Sequence, residues 1–148
     1  FLLLMIDLET LQNMWKNDTK IDRDNLHEES LNTPTLHAKY FEVYNNVFLL
    51  RAKAEKRRSA IYHSRYEYYT GKADPEVYIE NPFPKKIRDK ETLAKYLEAD
   101  EELSTAKLKV TYYDTMLNFL EDIIKQLHQR NYQIKNAIDY MKFQSGLG

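Results

Sequence analysis

The chain has 148 residues, 43% of them hydrophobic and 30% charged, with a formal net charge of −1 and no cysteine. This balance excludes a disordered chain and a uniformly basic, histone-like binder, and the length predicts one domain, at most extended by a helical element. The missing cysteines exclude a disulfide framework and a thiolate metal site, and they fit a reducing compartment.

The apolar start, residues 1–6, lacks the cationic leader of a signal peptide and is ended by Asp7. No run is long enough to span a membrane, so no membrane partner is expected. Met5 is expected to be the natural start, with residues 1–4 as upstream sequence. Asp7 then caps a short amphipathic helix over residues 7–16, with Leu8, Leu11 and Trp15 on one face. Asp22 is the expected cap of a second short helix, whose apolar residues are Leu26 and Leu31. Residues 1–33 hold seven acids against three bases. Such a segment either docks on a basic surface, of a partner or of a neighbouring copy, or is a solvated face.

Thr33 and Pro34 read as the cap and first residue of a long helix that runs to Tyr69. Asn45-Asn46 is a candidate break within it. Val47, Leu50, Ala54, Ile61 and Tyr68 keep heptad-like spacing, with Arg57 and Ser64 interrupting the seam. Gly71 is the expected left-handed terminator.

Residues 51–72 carry seven bases and two acids. Arg51, Arg58, Arg65 and Lys72 recur every seven residues, which on a helix makes one slowly winding cationic stripe. Tyr62 and Tyr69 follow Arg58 and Arg65 by four residues and are expected on the same face. Cations that hold phosphates, beside rings that stack on bases, suit a single-strand binder. Lys56 and Arg57 thicken the run, and His63 is expected as an exposed, partly charged neighbour of the arginines. Glu55 interrupts the stripe, and matching acids four residues on are otherwise missing. The competing reading is a solvated helix face with its tyrosines packed in a core or a subunit interface. Tyr66 and Tyr68 are assigned to packing.

Pro75, Pro82 and Pro84 deny residues 73–88 a continuous helix, so this segment is a linker, or a loop packed through Val77, Tyr78, Ile79 and Phe83. A second basic knot follows at Lys85, Lys86, Arg88 and Lys90, and Asp89 caps a short helix through about Glu98. Asp100 caps the last element. There Leu103, Ala106, Val110, Tyr113, Leu117, Leu120, Ile124, Leu127, Asn131, Ile134, Ile138 and Met141 keep an unbroken three-four spacing, the mark of a heptad seam. Asn131 is its one strongly polar slot. It is read as a register-setting residue in a continuous helix, against a local break. Met116, Phe119, Ile123 and Tyr132 widen the stripe beyond a two-stranded seam. Part of it is expected to pack on this chain's own helices, and the seam from Val110 to Met141 to drive self-association.

Catalytic residues, a metal and a cofactor are not expected. His27, His37, His63 and His128 lack metal-ligand spacing, and there is no P-loop, Gly-rich nucleotide loop or nucleophile elbow. The acids Glu98, Asp100, Glu101 and Glu102 suit a helix N-terminus. The chain therefore does not read as an enzyme.

Three sets of residues stand in an order and spacing that resemble the UvsY family, the recombination mediators of T-even-type bacteriophages. They are Ile21-Asp22 with Leu26 and Glu29; Arg65-x-x-Tyr68-Tyr69-Thr70-Gly71-Lys72; and Arg130, Ile134-Lys135, Asp139, Phe143 and Gly146. The resemblance covers most of the chain, residues 8–146. It implies a small all-α protein that forms a closed homo-oligomeric ring and binds single-stranded DNA. Such a protein loads a RecA-like recombinase of the UvsX type onto DNA coated by the phage single-strand-binding protein, in the cytoplasm of the infected bacterial host. In the family a Lys-x-Arg pair just before the Tyr-Tyr is tied to DNA binding. Here the arginine is Arg65, the lysine position holds His63, and the Lys56-Arg57-Arg58 run is the expected compensation.

The expected architecture is all-α: short N-terminal helices, a long basic helix, a Pro-rich linker and a long C-terminal heptad helix. It divides into an N-terminal helical region with the basic helix (1–72), a linker (73–88) and a C-terminal helical oligomerisation region (89–148). The residues expected at DNA are Arg51, Lys56, Arg57, Arg58, Tyr62, His63, Arg65, Tyr69 and Lys72. The alternative is a non-enzymatic helical adaptor whose basic helix binds an acidic protein partner.

Overall fold

The computed structural model describes residues 6–146, so the expected start at Met5 lies outside the described residues. The elements are α1 (Leu8–Asp18), a 3-10 turn (Arg23–Asn25), α2 (Leu26–Thr70), α3 (Pro75–Glu80), α4 (Lys90–Ala99) and α5 (Glu101–Gln144). No strand occurs among the described residues. Two compact units divide within α2 after Phe48 and within α5 after Asp114. No described helix is long and apolar enough to cross a membrane.

Asp7, Asp89 and Asp100 act as the helix caps that their positions predict. Their carboxylates accept the N–H three residues on, from Thr10 at 2.7 Å, Thr92 at 2.9 Å and Leu103 at 2.9 Å. Asp22 differs from expectation, because it caps the 3-10 turn and not a separate helix. It accepts from the Asp24 N–H at 3.0 Å and the Asn25 side chain at 2.8 Å, while the Asp22 N–H donates to Glu29 at 2.7 Å. From Leu26 the chain enters α2 directly. Leu31 lies five residues on, about 140° round the helix from buried Leu26, and it is 73% exposed rather than packed.

Thr33 and Pro34 do not start a helix; Pro34 lies inside α2. A proline there has no N–H to give to the carbonyl four residues back. The surrounding turn is held by α5. Arg130 Nη1 donates to the Glu29 carbonyl at 2.6 Å and to the Thr33 hydroxyl at 2.9 Å, and Thr33 donates to the Asn131 side chain at 2.8 Å. The expected cap hydroxyl is thus used between helices. Asn45 and Asn46 leave α2 unbroken, and α5 runs through Asn131 without interruption.

In the first unit the buried residues are Leu11, Trp15, Leu26, Leu36, Tyr40, Val43 and Val47, with Met116, Leu117, Leu120, Ile123, Leu127 and Ile134 of α5. Trp15 meets Tyr40 edge to face at 5.3 Å. Asp18 accepts from Lys39 at 2.6 Å and from the Tyr40 hydroxyl at 2.7 Å, which ties α1 to α2.

The second unit is built around Ile61, Tyr68, Tyr69, Ile87, Leu93, Leu97, Leu103 and Ala106. Gly71 ends α2 at φ +78°. Its N–H donates to the Tyr68 carbonyl at 3.4 Å and the Lys72 N–H to the Glu67 carbonyl at 2.9 Å, a Schellman ending. Residues 73–88 carry one short helix, α3, which the prolines did not suggest, with Pro75 at its first turn. Tyr78 and Phe83 pack from this segment, at 5.5 Å and 5.4 Å from the Tyr68 ring, while Ile79 stays exposed. In each unit α2 and α5 run antiparallel: Glu29 meets Arg130 in the first, and Arg65 meets Asp100 in the second.

Candidate nucleic-acid interface

Asp100 sits between α4 and α5 and is 6% exposed. Its Oδ2 accepts from Arg65 Nε at 2.7 Å and from the Tyr69 hydroxyl at 2.6 Å, while its Oδ1 caps α5. Burial pushes the Asp100 carboxyl up, but Tyr69, the Leu103 N–H and Arg65 outweigh it and hold the group below the usual carboxylate range. Burial also works against the charge on Arg65, and there Tyr69 and Asp100 prevail and raise its pKa. The guanidinium lies 4.3 Å from the Tyr68 ring and 5.1 Å from the Tyr69 ring. Tyr68 donates to the Asn81 carbonyl at 2.9 Å, and the Ile87 N–H donates to the Tyr69 carbonyl at 3.0 Å. The segment Arg65-x-x-Tyr68-Tyr69 therefore clamps α2 to α4, α5 and the 73–88 segment.

The seven-residue stripe is largely neutralised inside its own unit. Arg51 pairs with Asp114, Arg58 with Glu55 and Arg65 with Asp100. Two of these acids come from distant sequence, where a search four residues on could not find them. Near its end the stripe is also covered by later sequence, since Phe83 and Tyr96 pack at 5.3 Å and 5.5 Å from the Tyr69 ring. Tyr69 is buried with its hydroxyl on Asp100, so its faces are not open to a base. Tyr62 is exposed and stacks on Tyr66 at 6.5 Å. His63 is exposed, 3.2 Å from Glu67, and Lys72 lies 5.9 Å from the Tyr66 ring.

Unpaired cations remain on another face of α2. Lys53, Lys56 and Arg57 are exposed and form no ion pair among the described residues. Lys53 and Arg57, four apart, line a groove of about 630 Å³ with Lys109 of α5. Neither Lys53 nor Lys109 was singled out from the sequence. The signal was the break in the Val47–Tyr68 seam: an arginine stands at position 57, and Ala54 and Ala106 are too small to close the gap.

The expected oligomerisation face is mostly covered within the chain. Val110, Leu117, Leu120, Leu127 and Ile134 are buried, and Tyr113, Ile124 and Ile138 are half-buried. Asn131 and Met141 are exposed. Beyond Asn131, exposed Tyr132, Tyr140, Met141 and Phe143 leave an apolar end to α5. No group of three or more His, Asp or Glu able to hold a metal occurs among the described residues.

Fold and surface define an all-α protein built on two long helices, with a basic flank on the first. The sequence model of a family described as "Recombination, repair and ssDNA binding protein UvsY" matches residues 14–147, and the chain belongs to the UvsY family. Three crystal forms of the bacteriophage T4 recombination mediator protein UvsY share the fold. Lattice type II superposes at a TM-score of 0.82 with 23% identity, covering 95% of this chain and 98% of that one. Lattice types IV and I each give 0.80 at 22% identity, covering 94% and 90% of this chain and 99% and 98% of those. No curated protein sequence matches the chain.

Proposed function

We propose that this chain is a recombination mediator that binds single-stranded DNA as a homo-oligomeric ring. It promotes loading of a RecA-like recombinase of the UvsX type onto DNA coated by a phage single-strand-binding protein, in the cytoplasm of the infected host. The observation that carries this reading is the family match over residues 14–147. The unpaired cations on α2 support it, since phosphate neutralisation provides most of sequence-independent affinity. Lys56, Arg57, Tyr62, His63 and Lys72 are the exposed members of the expected contact set, while Arg51, Arg58, Arg65 and Tyr69 already have partners within the chain.

Self-association uses the apolar end of α5, where Ile138 and Met141 stand beside exposed Tyr140 and Phe143. Several weak tracks then add through their effective concentration. Wrapping the strand and touching the recombinase lower the barrier to starting a filament. The chain itself makes and breaks no covalent bond.

The test is a reconstitution. Recombinase filaments are assembled on single-stranded DNA pre-coated with single-strand-binding protein, with and without this chain. Faster filament formation supports the reading. No effect on filament formation, together with no binding to single-stranded DNA, leaves the acidic-partner adaptor instead.

A further inference from the structure

We propose that the groove between α2 and α5 in the second unit is the seat of the strand, with Lys53, Arg57 and Lys109 as its phosphate contacts. This rests on the reading of the chain as a single-stranded DNA binder. It replaces the Arg51–Arg58–Arg65 stripe with a different flank of the same helix pair.

Heptad spacing calls for an apolar side chain between Ala54 and Ile61, and the sequence supplies Arg57. Across the groove, Ala106 is equally unable to fill the space. A trough of about 630 Å³ runs along the two helices there. Its floor is Leu50, Ala54, Ile61 and Ala106, with Tyr113 at one end. Half-buried Tyr113 supplies the ring on which an unstacked base can rest.

The charges are arranged for a short strand. Lys53 and Arg57 stand about 6 Å apart along α2, and Lys109 faces them from α5. None of the three is held in an ion pair among the described residues, whereas Arg51 and Arg58 on the other flank are already matched by Asp114 and Glu55. A phosphate entering the groove does not have to displace an internal carboxylate. Glu101 and Glu102 line the groove too. Because the helices are antiparallel, these acids stand beside the Ile61 end, away from Lys53. They repel a phosphate there, so the strand leaves the groove before that end. Each chain then holds about three phosphates, one per cation, which is weak alone and calls for several copies.

The test uses a fluorescent oligo-dT titrated with the full chain at several salt concentrations, for the wild type and two variants. One carries Lys53→Ala, Arg57→Ala and Lys109→Ala, and the other Arg51→Ala and Arg58→Ala. The first should lose about tenfold or more in affinity at low salt and flatten the log–log salt slope by about 2 per chain. The second should stay within about twofold. Equal losses in both, or no loss in the first, overturn the groove while leaving single-strand binding intact. A wild type that does not bind oligo-dT overturns both readings. Independently of any variant, a 5-iodouracil-substituted strand should photocrosslink to Tyr113 in the wild type. Crosslinks confined to residues outside the groove contradict the proposal.

Discussion

Arg65 and Asp100 form the second unit's buried ion pair, with Nε donating to Oδ2 at 2.7 Å and the Tyr69 hydroxyl donating to the same oxygen at 2.6 Å. One carboxylate thereby ties α2 to the junction where α4 ends and α5 begins. The arginine and second tyrosine of the family-like segment have their polar groups committed inside the molecule. Removing one partner of a buried pair costs about 3–5 kcal/mol, and Arg65, being partly exposed, places Asp100→Asn at the low end. We expect thermal unfolding followed by circular dichroism to drop by roughly 6–12 °C. A fall of under about 2 °C would show that the clamp is dispensable.

Acid should weaken the fold in a defined window. Burial raises the Asp100 and Asp18 carboxyls, but their hydrogen-bond and charge partners prevail, so both titrate below the ordinary value of 3.8. For a depressed acid, the extra stability is present above the unfolded value and disappears as pH falls through the folded value. Stability should be nearly flat above about pH 5 and decline below about pH 4. In Asp100→Asn that decline should be shallower, as read by denaturant midpoints across the range. An unchanged acid limb in the variant would remove Asp100 from the account.

Arg130 is 3% exposed and serves the Glu29 carbonyl and the Thr33 hydroxyl at the turn that contains Pro34. Arg130→Ala should destabilise the first unit by about 3 kcal/mol, as a buried polar network loses its donor. Arg130→Lys should recover part of that loss, because both hydrogen bonds leave one nitrogen, Nη1, which an ammonium can replace. Hydrogen exchange should report faster opening around residues 29–36 in both variants. Protection equal to wild type there would mean that α2 tolerates Pro34 without help.

Gly71 and Gly146 are both left-handed, at φ +78° and +77°. A methyl at Gly71 would stand 2.8 Å from Lys86 Cγ, while at Gly146 nothing lies within 4 Å. Gly71→Ala should therefore cost about 2 kcal/mol and Gly146→Ala about 1 kcal/mol or less. Equal denaturant midpoints for the two variants would discount the contact with Lys86.

Local chemistry was readable from sequence. Asp7, Asp89 and Asp100 announced their helices because a cap is decided within three residues. Gly71 announced a terminus because only backbone freedom suits that turn. Pro34 misled, since its tolerance inside α2 goes with a contact from Arg130, ninety-six positions away. Likewise, the spacing of Arg51, Arg58 and Arg65 was correct as a helix pattern. It could not reveal that Asp114 and Asp100 would meet Arg51 and Arg65 from another helix. The seam on α5 announced burial without saying whose atoms provide it: Leu117, Leu120 and Leu127 are covered within one chain. The groove was foreshadowed only by Arg57 in an apolar slot, a signal whose meaning depends on Ala106 opposite.

In the proposed mechanism several copies act together on one strand. Sedimentation velocity of the full chain with a long fluorescent oligo-dT, at low and moderate salt, tests it most directly. We expect one complex containing several copies per strand, with a log–log salt slope steeper than about −6, the sum of three or more chains at about −2 each. A single chain per strand with a slope near −2, or no complex at low salt, would contradict the claim.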